Sequence, residues 1–534
     1  MVWIDQICIN QADMREKVGQ VQLMHLVYAR AWNTVIWLGT RSYQGVFDAL
    51  LHLHNATHGM VHRLLDEEKK ALRAQAGEQE AIEDFFNSPW FSRTWILQEA
   101  VLSNHPYVMT GTTVCHWEES IGSCHGLYDL GVFDSAAVTW KPNTIVAEAQ
   151  SIVPSKVHGV KVACDIWSLR VAKHQFEQKA PLLATLIDTR QAQVTNPLDK
   201  VYGILALCEH EIVPDYEMQA IELYRKVSED HLRSEIKRLD QLSQRSIELS
   251  PIAYGDLFRL MSCVDHPKTD SEDVPSWVID WSKARVTTSL GDRTTVHSCF
   301  CAGQPSDNTS VALSDDGRTL SMNAKFCDTI ERTSSIIKDA ELVASESLTD
   351  NLGLKSCVAF SCLANPGTTR KASFSAFCKM VTAGKDGKGI QPTPSEFTEL
   401  LSFLCDAITG HCPTFPGQMY SPRQLKGRMT LDSLKTRTLG RTFQDLKPAF
   451  RNAVLNRRLC WTCTGRLGLV PRFALDDDQV VVVPGCAVPF VVRRVPGADG
   501  ELSYHLIGEC YVDGIMHGEV IADESIDINI LNLV

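Results

Sequence analysis

Val2-Trp3-Ile4-Asp5-Gln6-Ile7-Cys8-Ile9 opens the chain, and how this run folds decides the first domain. Apolar residues dominate it, with Asp5 and Gln6 in the middle, as in a buried parallel strand and its exit loop. Asn10-Gln11-Ala12 leads away from it. Asp13 and Glu16 then have capping-box spacing. Met14, Val18, Val21, Met24, Tyr28 and Ala31 recur at three- and four-residue intervals, which puts them on one face of a helix. Asn33 closes that helix, and Thr34-Val35-Ile36-Trp37-Leu38 reads as a second strand ending at Gly39. Strand, helix, strand is a right-handed parallel βαβ unit. The expected fold class is therefore an α/β N-terminal domain with a parallel sheet.

Further along, residues 41–82 read as helical. Ser88-Pro89 starts another helix, with Ser as cap and Pro in the first turn. Phe91, Trp95, Gln98 or Glu99, and Leu102 share a face of it. Residues 217–262 are helix-rich. Polar, proline-containing stretches at 266–275 and 303–310 are the expected joints. Residues 311–330 alternate around Asp315-Asp316-Gly317, a hairpin signal. Residues 458–512 are again β-patterned, with turns at Pro484-Gly485 and at 496–500. Neither β segment has enough strands to be stable alone, so one β-rich unit is expected with a helical and loop insertion between its halves. Residues 395–408 read as a short helix inside that insertion. The expected division is 1–130, a helical region 131–265, a β-rich unit of 275–330 and 456–534, and the insertion 331–455.

Composition excludes several classes. The 534 residues suffice for two to four domains. Hydrophobic residues at 44% and charged residues at 22% are those of a chain that builds a core. A net charge of −12 spread over this length lacks the concentrated basic face that nucleic-acid binding needs. No basic n-region precedes the opening apolar run, so no secretory signal is read. The apolar stretch at 480–492 is broken by Pro484, Gly485 and Pro489 and is too short to span a bilayer. The 18 cysteines are scattered singly, which fits reduced thiols and a cytoplasmic protein.

Several segments carry a resemblance. Trp3-Ile4-Asp5-Gln6-Ile7-Cys8-Ile9-Asn10-Gln11 resembles the "W-I-D-x-x-C-I-N-Q" signature of fungal heterokaryon-incompatibility (HET) domains. Glu16, Gln20, Met24, Tyr28, Ala31 and Trp37-Leu38-Gly39 keep the family's order and spacing. Trp90-Phe91-Ser92-Arg93-Thr94-Trp95-Ile96-Leu97-Gln98-Glu99 looks like its second block, "W-F-x-R-x-W-x-x-Q-E". Matches this long in rare residues do not arise by chance. Pro197-Leu198-Asp199-Lys200-Val201-Tyr202, Pro214-Asp215-Tyr216, Pro275-Ser276-Trp277 and the run 508–519 are similar to segments that follow the domain in such proteins. Family domains begin some tens of residues earlier, with a strand bearing "S-Y-x-W-G" and a helix. Neither is present here, so an incomplete domain with an open sheet edge and impaired activity is the expectation.

The resemblance implies a distant relation to Toll/interleukin-receptor-type (TIR-like) domains, some of which cleave NAD at the nicotinamide–ribose bond. That chemistry uses a carboxylate facing an oxocarbenium-like ribose and needs no metal or cofactor, NAD being the substrate. Glu99 is the first catalytic candidate, with pairing to Arg93 or facing solvent as its plain structural alternative. Asp5, at a strand end where open α/β sheets place ligands, is the second, against a helix cap. Glu16 reads first as a capping-box partner and second as a site residue. Arg93 and Trp95 are the substrate-binding candidates, Arg93 because a guanidinium grips phosphate in two places. Cys460-Trp461-Thr462-Cys463 is half of a zinc-ribbon spacing with no second pair, so no metal is assigned. Two readings follow: an NAD-cleaving effector of cell death in non-self recognition, or a non-catalytic module that assembles with protein partners or itself through the HET domain, an inactive remnant being the limiting case.

Overall fold

The computed structural model describes residues 2–10, 12–57, 79–121, 158–244, 255–265, 274–291, 300–304, 310–338, 356–357, 360–361, 374–385, 449–496 and 502–534. The chain divides into two compact units: Met1–Leu223 with Trp281–Ala284, and Tyr224–Asp280 with Arg285–Val534.

In the first unit the opening run is not a strand. It coils into a one-turn helix, α1 (Asp5–Cys8), with Cys8 and Ile9 amides bonded to the carbonyls of Ile4 and Asp5. Val2, Ile4 and Ile7 are exposed. Backbone groups must find partners, and among the described residues no strand lies beside this run, so local hydrogen bonds replace the ladder. The parallel βαβ unit expected over 1–39 is thus reduced to its helix, α2 (Met14–Arg30), and its second strand, β1 (Thr34–Trp37). The Asp13 carboxylate accepts the amides of Arg15 and Glu16 and caps α2.

After α3 (Gln44–Thr57) and α4 (Gln79–Phe86), the expected helix at Ser88-Pro89 is interrupted. Pro89–Ser92 makes a 3-10 turn, Arg93 is extended, and α5 (Ile96–Leu102) starts only then. The cause is a lateral tie: Arg93 forms an isolated parallel bridge with Gln193, and the Thr94 amide donates to the Gln193 carbonyl. Then follow β2 (Pro106–Thr110), β3 (Thr113–His116) and α6 (Trp117–Ser120). The sheet order is β1-β2-β3, parallel across β1 and β2 and antiparallel across β2 and β3. It is a small mixed sheet where a parallel one was expected.

α7 (His158–Phe176) presses on α4 and α5. At Gly159 a Cβ would lie 1.8 Å from the Phe86 carbonyl oxygen, so only glycine permits the contact. Arg170 donates to the carbonyls of Ala100 and Ser103 and pairs with Glu118, and a His174 ring nitrogen lies 2.9 Å from the Val101 carbonyl. These bonds satisfy the last carbonyls of α5. A two-residue parallel pair, β4 (Ala180–Pro181) and β5 (Cys208–Glu209), brackets α8 (Leu182–Asp188) and α9 (Asp199–Tyr202).

The second unit contains most of α10 (Ala220–Gln244) and α11 (Gly255–Ser262), then a β-rich body. The hairpin of β6 (Val311–Leu313) and β7 (Leu320–Thr333) turns at Gly317, whose φ is +67°. After α12 (Phe374–Thr382) come β8 (Arg457–Thr462), β9 (Leu467–Pro471), β10 (Gln479–Val482), β11 (Phe490–Pro496), β12 (Leu502–Glu509), β13 (Tyr511–Val512), α13 (Glu519–Ala522) and β14 (Ile528–Leu533). Strands run in the order β10-β11-β12-β14-β7-β8-β9-β13. Pairing of β10 with β7 returns the path to its start, closing a barrel. Residues 311–330 and 458–512 therefore share one sheet. Described parts of the stretch between them, Phe360, Phe377, Met380 and Phe450, pack with Leu459, Trp461 and Leu469 in one core. The helix expected at 395–408 lies outside the described residues.

Glu509 is the keystone of the barrel. Its buried carboxylate pairs with Arg285 at 3.2 Å and Arg457 at 3.3 Å, and accepts the amides of Leu290 and Gly291. Burial lowers the Arg457 guanidinium to about 10, with Glu509 opposing the shift.

Candidate functional site

The site grows out of the short helix α5. Ile96, Leu97, Gln98, Ala100, Val101 and Leu102 are all buried, which fixes the helix on several sides. Glu99 is the exception: its side chain is 15% exposed. The preceding 3-10 turn places Trp90 so that its indole N–H donates to Glu99 Oε2 at 3.1 Å. Arg93 Nη1 stands 4.0 Å from Glu99 Oε1, with the rest of its side chain opening to solvent. Burial raises the Glu99 carboxyl above its ordinary value; Arg93 and the Trp90 hydrogen bond oppose the shift and the Asp5 carboxylate reinforces it.

Asp5 reaches this point from α1, not from a strand end. It is half-buried, and its Oδ1 also accepts the Gln6 amide. Tyr28, in the last turns of α2, completes the group. Its ring meets Trp3 edge-on at 5.8 Å. Its hydroxyl is pushed up by burial first and then by Glu99 and Asp5, with Arg93 opposing. Glu99, Asp5, Arg93, Tyr28 and Trp90 thus form one interacting cluster. Two carboxyls with an aromatic wall and a solvent-facing guanidinium can stabilise a developing cation on one side and hold an anion on the other.

The other two candidates lie elsewhere. Glu16 is exposed, and its Oε1 accepts the Asn10 amide at 3.1 Å, so it serves the entry to α2. Trp95 lies beside Asp199 and helps hold its carboxyl down. Asp199 is buried and accepts the Tyr216 hydroxyl at 2.6 Å. Burial raises its carboxyl, against the Tyr216 hydrogen bond, the charge of Lys17 and the neighbouring Trp95. Tyr28 and Asp199 are buried polar neighbours of the candidate residues that pattern reading did not single out for chemistry. Tyr28 stood on the apolar face expected of α2 and Asp199 inside a segment similar to the family's, but nothing in either position signalled a charged neighbour.

A cavity of about 210 Å³ in the first unit is lined by Val101, Leu169, Ala172 and Leu207 among others and holds none of the candidate residues. Among the described residues no three His, Cys, Asp or Glu side chains converge as a metal site would, and no helix is long and apolar enough to cross a membrane. Cys460 is buried in β8, whereas Cys463 is exposed.

The first unit is thus a small α/β unit bearing the candidate cluster, and the second holds the barrel. The heterokaryon incompatibility protein (HET) family model matches residues 1–99, and that of the Het-6 beta-barrel domain matches residues 436–527. The chain is 25% identical to "Heterokaryon incompatibility protein 6, OR allele" of Neurospora crassa, across 97% of this chain and 81% of that protein. No solved structure matches. Together these similarities support a fungal heterokaryon-incompatibility (HET) domain protein.

Proposed function

We propose that this protein acts in the cytoplasm in non-self recognition and programmed cell death, and that its HET domain does so by cleaving NAD at the nicotinamide–ribose bond. One observation carries the reading: Glu99 holds a partly accessible carboxyl against Trp90, with Arg93 at 4.0 Å. In the proposed reaction the C1′–N bond breaks and its electron pair passes to the pyridinium nitrogen, leaving neutral nicotinamide. Ionised Glu99 faces the oxocarbenium-like ribose and orients water, whose oxygen bonds to C1′ and whose proton leaves through Glu99 to solvent. Arg93 grips a phosphate, and Asp5 sets the charge around Glu99. The test is release of nicotinamide from NAD by the full chain and by Glu99→Gln. Turnover that drops at least a hundredfold in the variant, with the unfolding midpoint kept, is the expected result. Equal turnover in both proteins excludes Glu99.

A second reading, self-association through the HET domain, is favoured by the face of β1. Val35 and Trp37 point outward at 57% and 59% exposure, and neighbouring Trp32 is 88% exposed. Exposed apolar strands of this kind mark interaction surfaces. Sedimentation of the full chain and of Trp37→Arg separates the readings, since assembly lost in the variant with no NAD cleavage by either protein favours the module.

A further inference from the structure

Behind α5 lies the cavity of about 210 Å³, for which the chemistry above has no use. Val101 reaches it from α5. Two residues after Glu99, Val101 points about 200° away from it around the helix, so the cavity and the acidic cluster sit on opposite sides of α5. Leu207 joins Val101 there, and both are buried. Leu169 and Ala172 of α7 complete an apolar wall. Just beyond it α7 ends: Glu177 takes a left-handed conformation with φ +53°, and the Gln178 amide bonds back to the Ala172 carbonyl at 3.1 Å. Glu177 and Lys179 then line the cavity from this turn, and Lys173 lines it from α7. Among the described residues neither lysine makes a hydrogen bond or an ion pair.

We propose that this cavity binds a small carboxylic acid with an apolar body of one ring, the carboxylate held by Lys173 and Lys179 and the body resting on Val101 and the α7 wall. Size sets the body. An apolar cavity of about 150 Å³ takes benzene, so 210 Å³ holds a ring with its carboxylate and is too small for a dinucleotide. Water fills such a space badly, because each molecule needs two to four polar partners and the apolar wall offers none. Charge sets the head group. Two unpaired ammonium groups stand against the single carboxylate of Glu177, so a bound anion gains partners that a bound cation would repel. The site is joined to α5 by more than contact. His174, next to Lys173, has a ring nitrogen 2.9 Å from the Val101 carbonyl. Burial holds its imidazole below the ordinary value; the Val101 carbonyl opposes the shift, and the charges of Arg170 and Lys173 reinforce it. An anion beside Lys173 offsets that charge, so the His174 titration reports whether the cavity is filled.

The test titrates the full chain with benzoate by calorimetry, with benzamide and benzylamine as neutral and cationic compounds of like shape. Benzoate is expected to bind at one site, about tenfold tighter than either. Lys173→Met and Lys179→Met are each expected to weaken benzoate about twofold to fivefold and to leave benzamide unchanged. Ala172→Phe, which fills the cavity, is expected to abolish binding of all three. At saturating benzoate the NMR titration of His174, identified by its loss in His174→Gln, is expected to move upward. Benzylamine or benzamide binding as tightly as benzoate overturns the proposal. So do the absence of saturable benzoate binding, binding that survives Ala172→Phe, and a His174 titration that stays in place at saturation. Should Ala172→Phe fail to fold, the two lysine variants and the His174 titration decide the question. NAD cleavage plays no part in these readouts, so its absence leaves the inference untouched.

Discussion

Replacing Trp90 with Phe removes a single hydrogen bond from Glu99, and the consequence has a definite sign. The indole N–H donates to Glu99 Oε2 at 3.1 Å and so favours the ionised carboxylate, against burial, which favours the neutral form. A hydrogen bond to a charged group contributes about 1.5–3 kcal/mol. Its loss therefore raises the already elevated Glu99 carboxyl further. Between the ordinary carboxylate value and the raised one, the native chain holds a proton that the unfolded chain has released. Stability therefore falls as pH rises through that interval and is level above it. Trp90→Phe extends the interval upward and enlarges the total fall by about 1.5–3 kcal/mol. The smaller ring also leaves a packing defect, but that cost is independent of pH and drops out of the comparison. The assays are 13C titration of Glu99 and urea unfolding across the acid and neutral range. In the proposed reaction, which needs ionised Glu99, the acid limb of NAD cleavage moves upward with the titration. A Glu99 titration identical in both proteins would refute the hydrogen bond and the electrostatic account of the site built on it.

Two further expectations concern the scaffold. Glu509→Gln leaves the buried guanidiniums of Arg285 and Arg457 without their counter-charge and should cost about 3–5 kcal/mol, seen as a lower melting transition by calorimetry. An unchanged transition would show that the pairs contribute nothing net. Gly159→Ala puts a methyl against the Phe86 carbonyl oxygen and should destabilise by about 1–3 kcal/mol or more in chemical denaturation, as α7 is forced off α4.

Much of the chain could be read from local pattern, and the exceptions share one cause. The apolar period of α2 with its Asp13 cap, the second strand at Thr34–Trp37, the hairpin through Gly317 and the alternating strands of 458–512 are written in neighbouring residues, because helix periods, caps and turns are local interactions. The motifs around Trp3 and Trp90 were enough to suggest the family before any geometry was known. Trp3–Ile9 carries strand-like residues but coils into α1, because a strand exists only where another strand meets it, and none does here among the described residues. The helix expected from Ser88 breaks at Arg93 because Gln193, a residue no local window contains, bonds across it. The candidate site divides the same way. Sequence pattern proposed Glu99, Asp5, Arg93 and Trp95 as candidates, and only the fold set Glu99 against the Trp90 indole and beside Arg93. Tyr28 looked like one more apolar stripe residue, yet in the fold its hydroxyl is pushed up by burial and then by the charges of Glu99 and Asp5. What the sequence determined by itself was the inventory of elements and the chemistry available; which of those side chains face each other was decided by tertiary structure, since burial and charge act between residues that only the folded chain makes neighbours.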